Sequence, residues 1–98
     1  MANPHKGEVS FEAGGQPRTL RFDTNAICAV EGHLDLGIDE IVARLERGRL
    51  SIVRALYWGG LVGGVTLIEA GNLIDDLGYK RANDLLREAL ALAFPKSE

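Results

Sequence analysis

Few residues of this chain have the types and spacing that chemistry requires. Residues 59–66, GGLVGGVT, have the glycine spacing of a phosphate-binding loop, but Val65 stands where such a loop carries the lysine that holds the terminal phosphates. The candidate metal ligands His5, Cys28 and His33 are too few and too scattered for a zinc site. We therefore expect no nucleotide, no metal and no other cofactor.

Two pairs of residues resemble catalytic groups, and each has a simpler explanation. Cys28 and His33 lie five residues apart on a predicted helix and point to different faces, so we interpret Cys28 as a small core residue. Asp75 and Asp76 are neighbours, which diverge by about 100° on a helix, and a solvated turn explains them better than acid catalysis. The sequence predicts a protein that is not an enzyme.

The charge pattern disfavours a nucleic-acid partner. The formal net charge is -3 at pH 7, and Glu40 and Glu46 dilute the local arginine cluster at residues 44–54. Residues 39–62 have the length of a helix-turn-helix, but the second helix carries aromatic side chains and Arg54 where base-reading polar groups are needed. The single cysteine and the lack of a signal-peptide pattern in MANPHKGE predict a cytoplasmic protein.

The elements that would position any site begin with a β-hairpin. Residues 7–13 and 19–23 alternate polar and apolar side chains with the two-residue period of a strand, and Gly14, Gly15 and Gln16 supply the turn. Two strands alone are marginally stable in water, so their apolar side chains must pack against helices. These side chains belong to Val9, Phe11, Leu20 and Phe22.

Helices are predicted to follow the hairpin. The first runs from an N-cap at Thr24 to about Leu34, and Gly37 ends that segment. The second is capped by Asp39 and stops at Gly48. A third helix then starts at residue 51.

The last two helices have clearer boundaries. Thr66 and Glu69 spell a capping box, in which each side chain satisfies a free amide of the first turn of the fourth helix. Gly78 is well placed to end that helix, and the fifth runs from about Lys80 to Ala93. These elements predict an α+β fold, in which an N-terminal two-stranded antiparallel hairpin packs on a bundle of four to five short helices.

The length of 98 residues fits one domain. We expect this domain at residues 7–94, between a flexible N-terminal tail at residues 1–6 and a polar C-terminal tail at residues 95–98.

The third helix and the glycines after it allow two interpretations. Residues 50–67 have the length and the small-residue spacing of a membrane helix, but Arg54, four glycines and the helix start at Thr66 argue against one. A helix that is apolar on nearly all sides is instead buried centrally or lies at an interface. We interpret the glycines as the left-handed and close-contact backbone of a connection between helices.

Three stretches of the sequence resemble a known family. They are NPHKGEVSFEAGGQPRTLRFDTNAICAVE, RALYWGGL and TLIEAGNLIDDLG, and they are similar to the small tail proteins of gene transfer agents and related phages, a group classed with tail assembly chaperones. The similarity spans about residues 3–95. It implies a non-enzymatic protein that coats the long, helical, apolar tape measure protein and helps to bring tail tube subunits to it.

The central segment is the candidate contact surface for these partners. A core this small leaves some apolar area uncovered, and an exposed apolar patch usually marks a partner site. The tentative interaction residues are Arg54, Tyr57, Trp58, Leu61 and Val62. Trp58 as an ordinary core residue is an equally good interpretation.

Three alternatives stay open. Self-association would cover the same apolar area as a tail partner. The protein could also be a structural tail component that is retained in the particle, or, least favoured, a small DNA-binding regulator.

Overall fold

The computed structural model of this chain describes residues 7–94, and the tails expected at residues 1–6 and 95–98 lie outside that range. The described residues form a hairpin followed by helices, which confirms the predicted α+β fold. The elements are β1 (Glu8–Ala13), β2 (Gln16–Arg21), α1 (Thr24–Leu34), α2 (Ile38–Glu46), α3 (Leu50–Gly60), α4 (Leu67–Leu77) and α5 (Tyr79–Ala93).

The hairpin forms as its alternating pattern predicts. β1 and β2 pair antiparallel, with Ala13 opposite Gln16 at the turn. Gly14 and Gly15 both have positive φ, at 64° and 75°, which is what a two-residue turn matched to the twist of the strands requires. Gln16 therefore belongs to β2 and not to the turn. The face that packs inward is apolar and buried, and it consists of Val9, Phe11, Ala13 and Leu20.

Two predicted helix caps are wrong by one or two residues. Asp23, and not Thr24, caps α1, because its Oδ1 accepts a hydrogen bond from the Ala26 amide at 2.8 Å. The N-cap of α2 is Gly37, so Asp39 lies inside the first turn. The cap residue needs no side chain there, because the Glu31 carboxylate of α1 accepts a hydrogen bond from the Ile38 amide, the first free amide of α2, at 2.7 Å.

Other boundaries lie close to those predicted. The left-handed residue after α1 is Asp35 with φ 55°, and not Gly37. α3 begins at Leu50, one residue before the predicted start, and α5 begins at Tyr79. The capping box of α4 is confirmed: the Glu69 amide donates to Thr66 Oγ1 at 3.0 Å, and the Thr66 amide donates to Glu69 Oε1 at 2.9 Å.

α3 lies at the centre of the fold. It packs against the other four described helices and against β2. Tyr57 anchors it, because the phenol ring meets Phe11 edge to face with centroids 6.1 Å apart, and its hydroxyl donates to the Ala82 carbonyl of α5 at 2.7 Å.

Two glycines let α3 approach its neighbours. A Cβ on Gly59 would lie 2.3 Å from Cγ2 of Val30 in α1, and a Cβ on Gly60 would lie 2.6 Å from the Phe22 ring. The chain then adds a short bridge to the hairpin, in which Leu61 lies opposite Leu20. The close-contact glycines thus end α3, whereas Gly63 and Gly64 of the connection have positive φ, at 92° and 81°, and open space around them. No described helix is both long enough and apolar enough to span a membrane.

Candidate functional site

The five predicted interaction residues do not form one surface. Tyr57 and Leu61 are buried in the core, with 0% and 5% of their surface exposed. Val62 is 59% exposed, in the connection after α3, and Arg54 is exposed on α3 itself. Trp58 is half-buried. In this monomer, Tyr57 and Leu61 can pack under the residues of a contact surface, but they are too buried to touch a partner themselves.

Trp58 and Cys28 have environments that their types do not reveal. The Trp58 ring packs against His33 of α1, with ring centroids 4.9 Å apart and planes tilted by 40°. Cys28 is exposed, so its interpretation as a core residue was wrong. α1 turns Val30 and the Ala26 backbone toward Gly59 of α3, and Cys28 lies two residues from each, which places it on the opposite side of the helix.

Two large aliphatic side chains that the fold leaves exposed lie in a groove between α3 and α4, here called the α3–α4 groove. It has a volume of about 420 Å³. Leu50 and Ile68 both line it and are 58% and 70% exposed. The remaining lining residues are Ser51, Arg54, Leu67, Gly71, Asn72, Ile74 and Asp75. Large aliphatic side chains at such exposure, set in a concave surface, are typical of a protein-binding site.

Two opposite charges stand in the α3–α4 groove. The Arg54 side chain runs along Gly71, close enough that a Cβ there would lie 3.6 Å from Arg54 Cδ. Neither Arg54 nor Asp75 takes part in an ion pair among residues 7–94. The groove therefore offers a free guanidinium and a free carboxylate beside its apolar side chains.

A second groove, the α2–α5 groove, has a volume of about 480 Å³. Its lining includes Val42, Leu90 and Phe94. An ion pair between Glu46 and Arg87, at 2.9 Å, joins its two walls. The charged pair is already satisfied within the monomer, and one exposed large apolar side chain, Phe94, contributes to this groove. The α3–α4 groove is the better candidate for these reasons.

The sequence carried a signal for this groove. The apolar stripe of α4 that faces the core contains Ala70 and Ile74, and Ile68 falls outside that stripe. An aliphatic residue off the buried stripe of an amphipathic helix is expected to stay exposed in the monomer, which makes it a candidate contact residue when it borders a groove. Leu50 gave a weaker signal, because it precedes the predicted helix start.

The two perturbed titratable groups have structural explanations. Burial raises the pKa of Tyr57 far above its ordinary value, so its hydroxyl stays protonated and donates to Ala82. The hydrogen bond from Arg44 lowers the pKa of Glu40, an i, i+4 pair on α2 with Nε and Oε2 2.9 Å apart. Residues 7–94 hold no cluster of three or more histidine, cysteine, aspartate or glutamate side chains that could bind a metal. His5 lies outside these residues.

Comparison with known protein families gives a match over most of the chain. The family model described as phage tail tube protein, GTA-gp10, matches residues 6–94. No curated protein and no solved structure matches the chain. The match covers nearly the whole sequence and confirms the resemblance to tail proteins of gene transfer agents and phages. The chain belongs to the phage tail tube protein, GTA-gp10 family.

Proposed function

We propose that this tail protein is a non-enzymatic assembly chaperone that binds helices of the tape measure protein and helps tube subunits to assemble around it. The observation that carries the proposal is the α3–α4 groove, whose aliphatic side chains the monomer leaves uncovered. Family membership supports a role in a phage-like tail. The protein would act in the cytoplasm of the producing bacterial cell and would need no cofactor.

The groove suits a helical partner. An amphipathic helix that lies in a groove presents apolar residues at a spacing of three or four, and Leu50 and Ile68 offer aliphatic contacts for such a stripe. Covering one of these side chains contributes about 1 kcal/mol, from their apolar area. One copy would therefore bind weakly, and many copies along a long apolar chain would keep that chain covered.

Arg54 adds a requirement on the partner. Its guanidinium has no carboxylate partner among the described residues, while its aliphatic stem packs over Gly71. A partner helix with a glutamate or aspartate beside its apolar stripe would satisfy this charge at the edge of the groove. Of the five interaction residues predicted from sequence, Arg54 is the one that lines this groove.

Ile68→Asp is expected to reduce the amount of tape measure protein that co-purifies with the chain by about tenfold, since a carboxylate replaces the aliphatic contact. The fold should survive, because Ile68 is exposed and lies in the first turn of α4, where a negative charge is favourable. Co-expression followed by affinity purification measures the effect.

Val62→Asp is the matched control. Val62 is an aliphatic residue of similar exposure that does not line the groove, so this variant should retain the tape measure protein. Full retention by a folded Ile68→Asp variant, or a loss confined to Val62→Asp, would rule out the groove as the binding surface.

A second candidate function is a structural tail component that stays in the particle. The description of the matched family as a tail tube protein favours it. Mass spectrometry of purified particles separates the two candidates: a chaperone should be absent or scarce, whereas a tube component should be present in proportion to the other tube proteins.

A further inference from the structure

The two edges of the hairpin differ in how they are closed. At the β2 edge, the Val62 amide donates to the Thr19 carbonyl at 2.9 Å, and Leu61 lies opposite Leu20 in the same bridge. Pro17 also belongs to β2 and has no amide hydrogen to offer. The chain therefore protects this edge against pairing with another strand.

At the β1 edge, no such backbone pairing occurs among residues 7–94. In an antiparallel pair of strands, two kinds of opposite residues alternate. The two residues of one kind exchange backbone hydrogen bonds with each other, whereas both residues of the other kind point their N–H and C=O groups away from the partner strand. The Thr19 carbonyl faces away from β1, because it accepts a hydrogen bond from the Val62 amide. The backbone groups of Ser10, which lies opposite Thr19, therefore face outward from β1. The backbone groups of Glu12 face outward as well, because Glu12 lies two residues further along the strand. Neither Ser10 nor Glu12 forms a further hydrogen bond within residues 7–94.

No feature of β1 itself blocks an incoming strand. The register between β1 and β2 runs without a bulge from Glu8 to Ala13, and β1 contains no proline. Ser10 and Glu12 are exposed on the solvent face, while Val9, Phe11 and Ala13 are buried on the other face. A strand added here would continue both faces of the sheet.

The charges select the strand that fits. Glu12 lies opposite Pro17 and forms no ion pair with a described residue. A second carboxylate, that of Asp76, accepts a hydrogen bond from the amide of Gly14, two residues further along the chain, at 2.8 Å. A lysine or arginine that stands opposite Glu12 on an incoming strand would pair with this charge, and such cross-strand pairs of opposite charge are stabilising.

We propose that the β1 edge is a docking site for an extended segment of a partner protein that carries lysine or arginine opposite Glu12. The segment adds a third strand to the hairpin through the outward groups of Ser10 and Glu12. This site is separate from the α3–α4 groove, and it does not depend on the chaperone function.

A synthetic peptide with the alternating sequence Thr-Val-Lys-Val-Thr-Val-Lys-Thr, blocked at both ends, tests the site. At millimolar concentration it should slow hydrogen exchange of the Ser10 and Glu12 amides at least tenfold, as measured by NMR of the full chain. A peptide with glutamate in place of lysine should leave the exchange unchanged. Unchanged exchange with the lysine peptide would overturn the proposal, and so would equal protection by both peptides.

Two variants extend the test. Glu12→Lys, at an exposed position, should reverse the preference so that the glutamate peptide protects these amides and the lysine peptide does not. Ser10→Pro should abolish protection of Glu12, because it removes an outward amide, as Pro17 does on β2. An unreversed preference contradicts the proposed charge selection. Protection of these amides that grows with protein concentration in the absence of any peptide would show that a second copy occupies the edge, and it would overturn the proposed occupant.

Discussion

Tyr57→Ala is expected to lower the free energy of unfolding by about 3–5 kcal/mol, the usual range for truncation of a buried aromatic side chain. The reason is that Tyr57 has no exposed surface and joins three elements of the fold, through its own helix α3, the Phe11 ring of β1 and the Ala82 carbonyl of α5. A domain of this size has about 5–15 kcal/mol of stability, so the loss is a large share of the total. Urea unfolding followed by circular dichroism measures it.

Tyr57→Phe separates the ring from the hydroxyl. It keeps the packing and removes only the 2.7 Å hydrogen bond to Ala82, which should cost about 1 kcal/mol. An alanine variant as stable as the parent chain would show that Tyr57 is not part of the core. The same result would revive its role as a direct contact residue.

Gly59→Ala is expected to destabilise the fold by about 1–3 kcal/mol, even though alanine is the better helix former. The new methyl group would meet Cγ2 of Val30 at 2.3 Å and the Ala26 carbonyl oxygen at 3.4 Å. Val30 is fully buried and β-branched, so it cannot rotate away cheaply. α1 and α3 would have to separate.

Gly32→Ala is the matched control for this effect. Gly32 also lies inside a helix, but a Cβ there would meet nothing within 4 Å. Alanine at this exposed position should raise the free energy of unfolding by about 0.5–1 kcal/mol, through helix propensity alone. Opposite shifts of the two midpoints in urea would confirm the close contact of α1 with α3. A stabilised Gly59→Ala variant would contradict it.

The parts of the fold that could be predicted rest on short-range signals. The hairpin follows from alternation and from two glycines that supply positive φ, and the start of α4 follows from a capping box contained within four residues. The cap of α1 was ambiguous because Asp23 and Thr24 are both good cap residues and stand side by side. The sequence alone gives no reason to choose between them.

The parts that failed depend on contacts distant in sequence. Asp39 looked like the cap of α2, but the carboxylate of Glu31 reaches its first amide from the preceding helix. Cys28 looked like a core residue because of its type, yet the packing of α1 on α3 turns it outward. No periodicity within one helix reveals which neighbour that helix will meet.

The candidate site shows the same division. The central segment is apolar on nearly all sides because α3 packs against the other described helices and β2, and Tyr57 lies inside the core. The uncovered area comes from Leu50 and Ile68, which lie 18 residues apart and line one groove only because α3 and α4 pack together. Composition could predict only that some apolar area stays uncovered in a core this small. Its position required the packing of helices.

Photo-cross-linking tests the groove most directly. A benzoylphenylalanine in place of Ile68 should cross-link to the tape measure protein in cells that assemble tails, since this side chain lies in the α3–α4 groove. The same group in place of Glu88, an exposed residue of α5 that lines neither groove, should give no such product. Cross-linking to the tape measure protein from position 68 but not from position 88 is the predicted result, and its absence at position 68 in a folded protein would contradict the proposed function.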